Sequence, residues 1–345
     1  MKVLAKRLSY IFIGLLIVYL IVILVYTQHL LNDDSNKFDS ANDKYMGEVE
    51  ISYNDGSNKF EADKRNSGVD KYIACYEYPI KEEDFNEEMK NKLNEIYALF
   101  SNPNFNLSFA YEDMYTGLHI SYNENFQYFT ASTIKAPTEI YLYEEADKGN
   151  IDLESYITYT SRYYLEGSGT IQFQPFGTQY KLRDLVKMAL VESDNVAYQM
   201  SAYSLNYDDI KNFWKDKGAN SFWSYGIWEN ISAHDGSIYM KELYNYSLTD
   251  TKLSKELMDH FYNSVFRVIE ADGDDTKIVH KSGWHFEIIH DLALVFDEYP
   301  YTLAIMTNRA HADYEDFFKE ASKLINEFHH LYWKNKAEIC YKQAF

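Results

Sequence analysis

The sequence predicts an α+β domain, with a five-stranded antiparallel sheet flanked by helices and an N-terminal transmembrane helix ahead of it. Three observations carry this expectation. Within the domain from residue 84, strand-like alternation occurs twice before residue 123 and three times after residue 276. The stretch between those groups is mainly helical, and strands drawn from both ends around a helical middle make an α+β arrangement. The third observation is an uncharged apolar run at the start, Leu8 to Thr27.

That run reads LSYIFIGLLIVYLIVILVYT, and about twenty apolar residues cross a hydrocarbon core as a helix. Lys2, Lys6 and Arg7 precede it, and Asp33 and Asp34 follow. The positive-inside rule therefore puts the N-terminus in the cytoplasm and the rest outside. A cleavable signal peptide would show a shorter apolar region and a small-x-small site. Tyr26-Thr27-Gln28-His29-Leu30 offers none and no cysteine for lipidation, so an uncleaved anchor is expected. The division is then 1–28 as cytoplasmic tip and anchor, 29–83 as acidic extracytoplasmic linker, and 84–345 as the folded domain. Within the linker, Gly47 to Tyr53 and Lys71 to Tyr78 alternate well enough for a small accessory hairpin.

From Glu83, EDFNEEMKNKLNEIYALF spaces Phe85, Met89, Leu93, Ile96 and Phe100 at helical intervals. Asn106 to Glu112 and Leu118 to Tyr122 alternate as strands around a turn at Gly117. Ser132 opens a helix that Gly149-Asn150 ends, and residues 181–265 are mainly helical. Strands follow at Lys277 to Lys281, Ile288 to Phe296 and Tyr301 to Thr307, then an amphipathic helix from Tyr314 to Trp333.

A net charge of −20 argues against nucleic acid as a partner. His290, His311 and the pair His329-His330 match no zinc spacing, so they read as structural and no metal or organic cofactor is expected.

Three short motifs carry the chemistry: Ser132-Thr133-Ile134-Lys135, Ser193-Asp194-Asn195 and Lys281-Ser282-Gly283. A serine hydroxyl needs a base before it attacks. Lys135 shares a helical face with Ser132, and the positive end of the helix favours an oxyanion beside the serine. To serve as base, Lys135 must be neutral near pH 7; desolvation and a second cation such as Lys281 both favour that. Each motif alone has a plain reading: an N-cap serine with a solvated lysine, a helix cap at Ser193-Asp194-Asn195, and an ordinary strand end at Lys281-Ser282-Gly283. Their occurrence together and in this order is the signal.

The trio resembles the active-site signature of class A β-lactamases and related penicillin-binding proteins, with the likeness running from near Glu83 to Trp333. It implies a β-lactamase/transpeptidase-like fold and a catalytic set of Ser132, Lys135, Ser193 and Lys281. By the same resemblance Ser193 relays a proton to the leaving nitrogen. Asn195 binds the substrate amide and orients Lys135, while Asp194 points into structure. Lys281 and Ser282 hold a substrate carboxylate, and Gly283 permits close approach of the substrate backbone. The amides of Ser132 and Trp284 form the oxyanion hole, and the Trp284 side chain shapes substrate choice. Tyr163 to Thr170 forms a rim of the cleft or is an ordinary surface turn.

The family adds a water-activating glutamate with an asparagine four residues on. Glu229 stands near the corresponding place, but Ala233 is four residues beyond it, and Ser232-Ala233-His234-Asp235 looks like a capping box. The loop is therefore read as truncated, and Glu229 is either a deacylation base or a surface acid. Terminal helices lie side by side in the family, so Cys75 and Cys340 are able to pair; two unpaired thiols are the plainer expectation. The expected protein is a membrane-anchored, monomeric, extracytoplasmic serine hydrolase. It forms an acyl-enzyme on Ser132 with a β-lactam or a D-Ala-D-Ala-type peptidoglycan stem peptide and deacylates slowly. The alternative is a catalytically silent cell-wall binding or sensor protein.

Overall fold

In a computed structural model of the chain, residues 49–53, 75, 79–220, 228, 230–271, 276–310 and 313–344 are described. The expected anchor at Leu8 to Thr27, Glu229, His311, and the Lys71 to Tyr78 run apart from Cys75 lie outside these residues. Among the described residues no helix is long and apolar enough to cross a membrane.

In chain order the elements are β1 (Val49–Tyr53), α1 (Glu87–Phe100), β2 (Leu107–Asp113), β3 (Leu118–Tyr122), β4 (Tyr128–Phe129), α2 (Lys135–Asp147), β5 (Tyr156–Thr158) and β6 (Gln179–Lys181). Then follow α3 (Leu182–Val191), α4 (Asn195–Ala202), α5 (Tyr207–Asp216), β7 (Asn230–Ile231), α6 (Ala233–Ser247), α7 (Lys252–Tyr262), β8 (Lys277–His285), β9 (Ile288–Phe296), β10 (Tyr301–Thr307) and α8 (Tyr314–Ala344).

Among the described residues the main sheet is antiparallel but has six strands, in the order β1-β3-β2-β10-β9-β8, where five were expected. The extra strand is the Gly47 to Tyr53 run. It pairs along β3 from Val49↔Tyr122 to Tyr53↔Leu118 and so covers an edge whose peptide groups would otherwise lack strand partners, while the other half of the expected hairpin lies outside the described residues apart from Cys75.

The central strands are buried on both faces. In β2, Phe109 and Tyr111 face one core while Ala110 faces the other, as the two-residue repeat of a strand requires. On the first face lie α1, with Met89, Leu93, Ile96 and Phe100 buried, and α8, with Phe318, Ile325, Phe328 and Tyr332 buried. Asn86 starts α1 by accepting a hydrogen bond from Met89 N at 2.9 Å. On the second face α6 lies directly on the sheet. A Cβ at Gly236 would fall 2.5 Å from Leu292 Cδ2 and 3.1 Å from Ala304 Cβ, so glycine sets that approach.

The last helix continues to Ala344, well beyond the expected end at Trp333. Its extra turns bind the N-terminal side of the domain. Asn335 Nδ2 donates to Asp84 O at 3.2 Å, and Lys336 Nζ donates to Cys75 O at 2.8 Å. Cys340 is disulfide-bonded to Cys75, which corrects the expectation of two free thiols. The Cα atoms are 5.4 Å apart across a sequence separation of 265 residues. Cross-links closing loops of this length restrict the unfolded chain by about 5 kcal/mol in the chain-entropy account. A reductant should therefore lower the melting temperature of the protein by several degrees and leave that of Cys340→Ser unchanged. Equal melting temperatures with and without reductant would deny the bond a stabilising role.

Candidate active site

The nucleophile turn follows β4. Residues Ala131–Ile134 form a 3-10 turn that runs straight into α2, so Ser132 sits in the turn ahead of the α-helix proper. Ala131 has φ of 45°, a left-handed conformation that costs a non-glycine residue about 1–2 kcal/mol. Thr133 offsets part of that locally, with its N and Oγ1 donating to Thr130 O at 3.2 and 2.5 Å. Ala131, Thr133 and Ile134 are buried, while Ser132 stays half-buried and reachable.

Lys135, the first residue of α2, is fully buried. Its Nζ lies 3.0 Å from Ser132 Oγ, 2.6 Å from Ser193 O, 3.1 Å from Ser193 Oγ and 2.9 Å from Asn195 Oδ1. The Ser193 carbonyl and the Asn195 amide oxygen only accept, so they take two N–H groups. Both remaining partners are hydroxyls, which either donate or accept. An uncharged amine therefore fits this shell, with its lone pair toward a serine oxygen. Burial holds Lys135 well below the ordinary lysine value, Lys281 adds to the drop, and Asp194 and Glu139 oppose it.

The Ser193-Asp194-Asn195 motif occupies the turn between α3 and α4. Ser193 has φ of 56°, the second non-glycine residue of the site in the left-handed region. Asp194 points inward, as expected, and does two jobs. Its Oδ1 accepts from Ala197 N at 2.9 Å, capping α4, and its Oδ2 accepts from Thr170 N at 2.6 Å and Ile171 N at 2.9 Å. Those latter bonds tie down the Tyr163 to Thr170 segment. Gly169, with φ of 99°, lies so close that a Cβ there would fall 2.1 Å from Asp194 Cγ. Asn195 completes the connection, with its N donating to Ser168 O at 3.0 Å and its Nδ2 to Glu166 O at 3.4 Å. Tyr163 itself packs on Tyr203 with Arg162 over both rings.

Lys281 comes from β8, the edge strand of the sheet. Its Nζ donates to Ser193 Oγ at 3.2 Å and Ser282 O at 3.1 Å. Burial brings its pKa down to about 8, against the pull of Asp291. Gly283 rests on the nucleophile turn: a Cβ there would lie 2.8 Å from Ser132 N and 2.9 Å from Thr133 N. Ser282 is buried, and its hydroxyl donates to Val265 O at 3.4 Å. Trp284 is half-exposed and stacks on Phe266, with ring centroids 5.4 Å apart.

The structure thus brings Ser132, Lys135, Ser193, Asn195 and Lys281 into one hydrogen-bonded cluster, with Gly283 and Trp284 beside it. The opening is a cleft of about 230 Å³ bordered by Ser132, Asn195, Trp284, Trp228, Phe129 and Glu166, among others. Sequence reasoning gave no role to Trp228, whose ring centroid is 5.8 Å from Lys135 Nζ, or to Phe129. No spacing rule marks a single aromatic in a chain containing 33 tyrosines and 21 phenylalanines.

Of the histidines read as structural, His290 and His329 are buried. His290 accepts from Thr307 N at Nδ1 (3.1 Å), so its Nε2–H donates to Phe129 O at 3.0 Å. Burial keeps it neutral, with its pKa down to about 4. His329 is likewise buried against Tyr111, with its pKa lowered to about 3. Among the described residues no group of three or more His, Cys, Asp or Glu side chains is placed to hold a metal.

Glu139, one turn beyond Lys135 in α2, is fully buried and accepts from Ser201 Oγ at 2.7 Å. Burial raises its pKa to about 8, partly offset by Ser201 and Lys135. The folded state therefore holds a proton that the unfolded state releases above its ordinary value of 4.5, so Glu139 makes stability fall as pH rises from about 4.5 to about 8. Glu139→Gln should lack this contribution. Relative to the parent, its melting temperature should rise steadily between pH 5 and pH 8. A constant difference across that range would mean that Glu139 is ionised throughout.

A profile of the β-lactamase enzyme family matches residues 88–329. A search of curated protein sequences returns no match. Among solved structures, a PBP-A variant in acyl-enzyme complex with penicillin G is similar at 19% identity and TM-score 0.64, covering 70% of this chain and 97% of that one. A β-lactamase from Sphaerobacter thermophilus is similar at 16% identity and TM-score 0.60, covering 68% and 95%. One from Chitinophaga pinensis is similar at 17% identity and TM-score 0.59, covering 70% and 99%. At such identities the structures speak for the fold, and the profile spans most of the chain. The chain belongs to the β-lactamase enzyme family.

Proposed function

We propose that the protein is a serine acyl-transfer enzyme that forms an ester on Ser132 with β-lactams or D-Ala-D-Ala-type peptides and releases it slowly. The observation that carries this reading is the shell of Lys135, a buried amine 3.0 Å from Ser132 Oγ whose other partners leave room for its lone pair. Lys135 takes the Ser132 proton as Oγ attacks the carbonyl carbon. The amides of Ser132 and Trp284 stabilise the resulting oxyanion. On collapse, Ser193 gives its hydroxyl proton to the leaving nitrogen and recovers one from Lys135, 3.1 Å away. Lys281, 3.2 Å from Ser193 Oγ, supplies the fixed positive charge and receives the substrate carboxylate, joined by Ser282 once its hydroxyl turns from Val265 O; Asn195 binds the amide.

Slow release is supported by the start of α6. The position four residues beyond Glu229 is Ala233, buried and already the first residue of that helix, where Ser232 and Asp235 cap each other reciprocally. An alanine at that position offers no polar side chain to hold a water for Glu229. The captured penicillin G ester of the PBP-A variant favours β-lactams as probes. The disulfide favours an oxidising compartment, in keeping with an extracytoplasmic domain on an N-terminal membrane anchor. No observation favours the silent wall-binding alternative. Burying two lysines around one serine is costly, and a binding surface gains nothing from it.

Intact-protein mass spectrometry of the full-length chain with benzylpenicillin should reveal an adduct that persists over many minutes and is absent in Ser132→Ala. Drug consumption with only a fleeting adduct would make this an efficient hydrolase, and no adduct with no turnover would overturn the proposal. Replacing the base with Lys135→Met should slow acylation by about 10²–10⁴-fold. The acylation rate should rise with pH as Lys135 loses its proton, at a pH well below the ordinary lysine value, and fall above about 8 as Lys281 loses its charge. The two limbs belong to the coupled pair of lysines.

A further inference from the structure

The floor and walls of the cleft differ in character. Below, both lysines are buried and hydrogen-bonded to Ser193, and neither lines the cleft itself. Above, among the described residues, the lining is mainly aromatic, with Phe129, Trp228 and Trp284 beside Leu165 and the carboxylate of Glu166. His285 also lines it, and burial lowers its pKa, so it adds no cation near pH 7. Arg162, the nearest arginine in sequence, is held over the rings of Tyr163 and Tyr203. Among the described residues, no lysine or arginine forms an ion pair with Glu166.

Glu166 stands on a braced rim. Its carbonyl accepts from Asn195 Nδ2 at 3.4 Å, and Gln172 Nε2 donates to the carbonyls of Gly167 (2.5 Å) and Gly169 (2.9 Å). Tyr164 donates its hydroxyl to Glu166 Oε1 at 3.2 Å. Among the described residues that leaves Glu166 with acceptor capacity unused, lining the same small cleft as three aromatic side chains. Aromatic faces and a carboxylate around one space are the chemistry that selects a cation. The net charge of −20 also draws cations toward the surface at long range.

We propose that the cleft prefers acyl donors bearing an ammonium group close to the reacting carbonyl, held between Glu166 and the rings of Trp228, Trp284 and Phe129. This inference rests on the acyl-transfer reading of the same site and names the substrate class it selects. Ampicillin and benzylpenicillin differ by a single α-amino group, so the ratio of their second-order acylation rate constants isolates the cation. That ratio should be roughly three- to tenfold larger in the parent than in Glu166→Gln, a range suited to exposed charge and cation–π contacts. It should also shrink toward the variant's value in high salt. An identical ratio in parent and variant would overturn the proposal.

A second measurement keeps the inference separate from the chemistry. Phenylglycinamide carries the ammonium, and phenylacetamide is its neutral counterpart. Tryptophan fluorescence titration should show tighter binding of the cation to the parent and equal binding of both to Glu166→Gln. If neither penicillin acylates Ser132, the acyl-transfer reading fails, and this titration still decides the subsite. Equal binding of the two amides to the parent would overturn the inference even where penicillins react.

Discussion

The structure is organised around the burial of one amine. An ammonium taken out of water and placed near a second one is held at a large electrostatic disadvantage, and the fold meets it by surrounding Lys135 Nζ with four oxygens from three residues. Where those residues converge, two non-glycine positions, Ala131 and Ser193, adopt left-handed backbone conformations. Strain of this kind persists where surrounding structure enforces it. Here the enforcement comes from Asp194, which caps α4 and grips the rim, and from β8, which presses Gly283 against the amides of Ser132 and Thr133.

Behind β8 a second buried pair keeps the edge strand in place. His280 Nδ1 lies 2.9 Å from Asp291 Oδ1, and His280 Nε2 lies 3.1 Å from Ser264 O. Asp291 Oδ2 accepts from Val268 N and Ile269 N at 2.9 and 3.1 Å. The segment carrying Val265 and Phe266 is thus fastened to the strand carrying Lys281, and Phe266 gives Trp284 the ring on which it stacks. The wall of the cleft and the cation beneath it are one mechanical unit.

How far the sequence revealed this depended on the range of each interaction. Helix α1 was legible because Met89, Leu93, Ile96 and Phe100 repeat within one element, and the cluster was legible because each motif is contiguous. The sixth strand was recognised as a strand but not placed, since its partner β3 lies across an intervening stretch and no local pattern names an edge. Cys75 and Cys340, 265 residues apart, posed the same problem, as did the extra turns of α8, which exist to meet the other end of the domain. The Ser282 hydroxyl, turned to Val265 O, shows the reverse limit: a motif specifies a residue type without fixing which way its side chain points.

The disulfide also has a mechanical consequence. A pull on the chain ahead of residue 49 loads β1 first, which is held at the sheet edge by its pairing with β3 and by Ile51 packed on the core. Peeling that strand exposes an edge but leaves β3, β2 and the strands beyond them joined. The force then reaches Cys75, where the covalent bond to Cys340 shares it with α8, a 31-residue helix packed along the sheet. The domain thus has an outer strand and a covalent link behind it, so tension at the N-terminal end is borne at the sheet edge opposite the strand that carries Lys281.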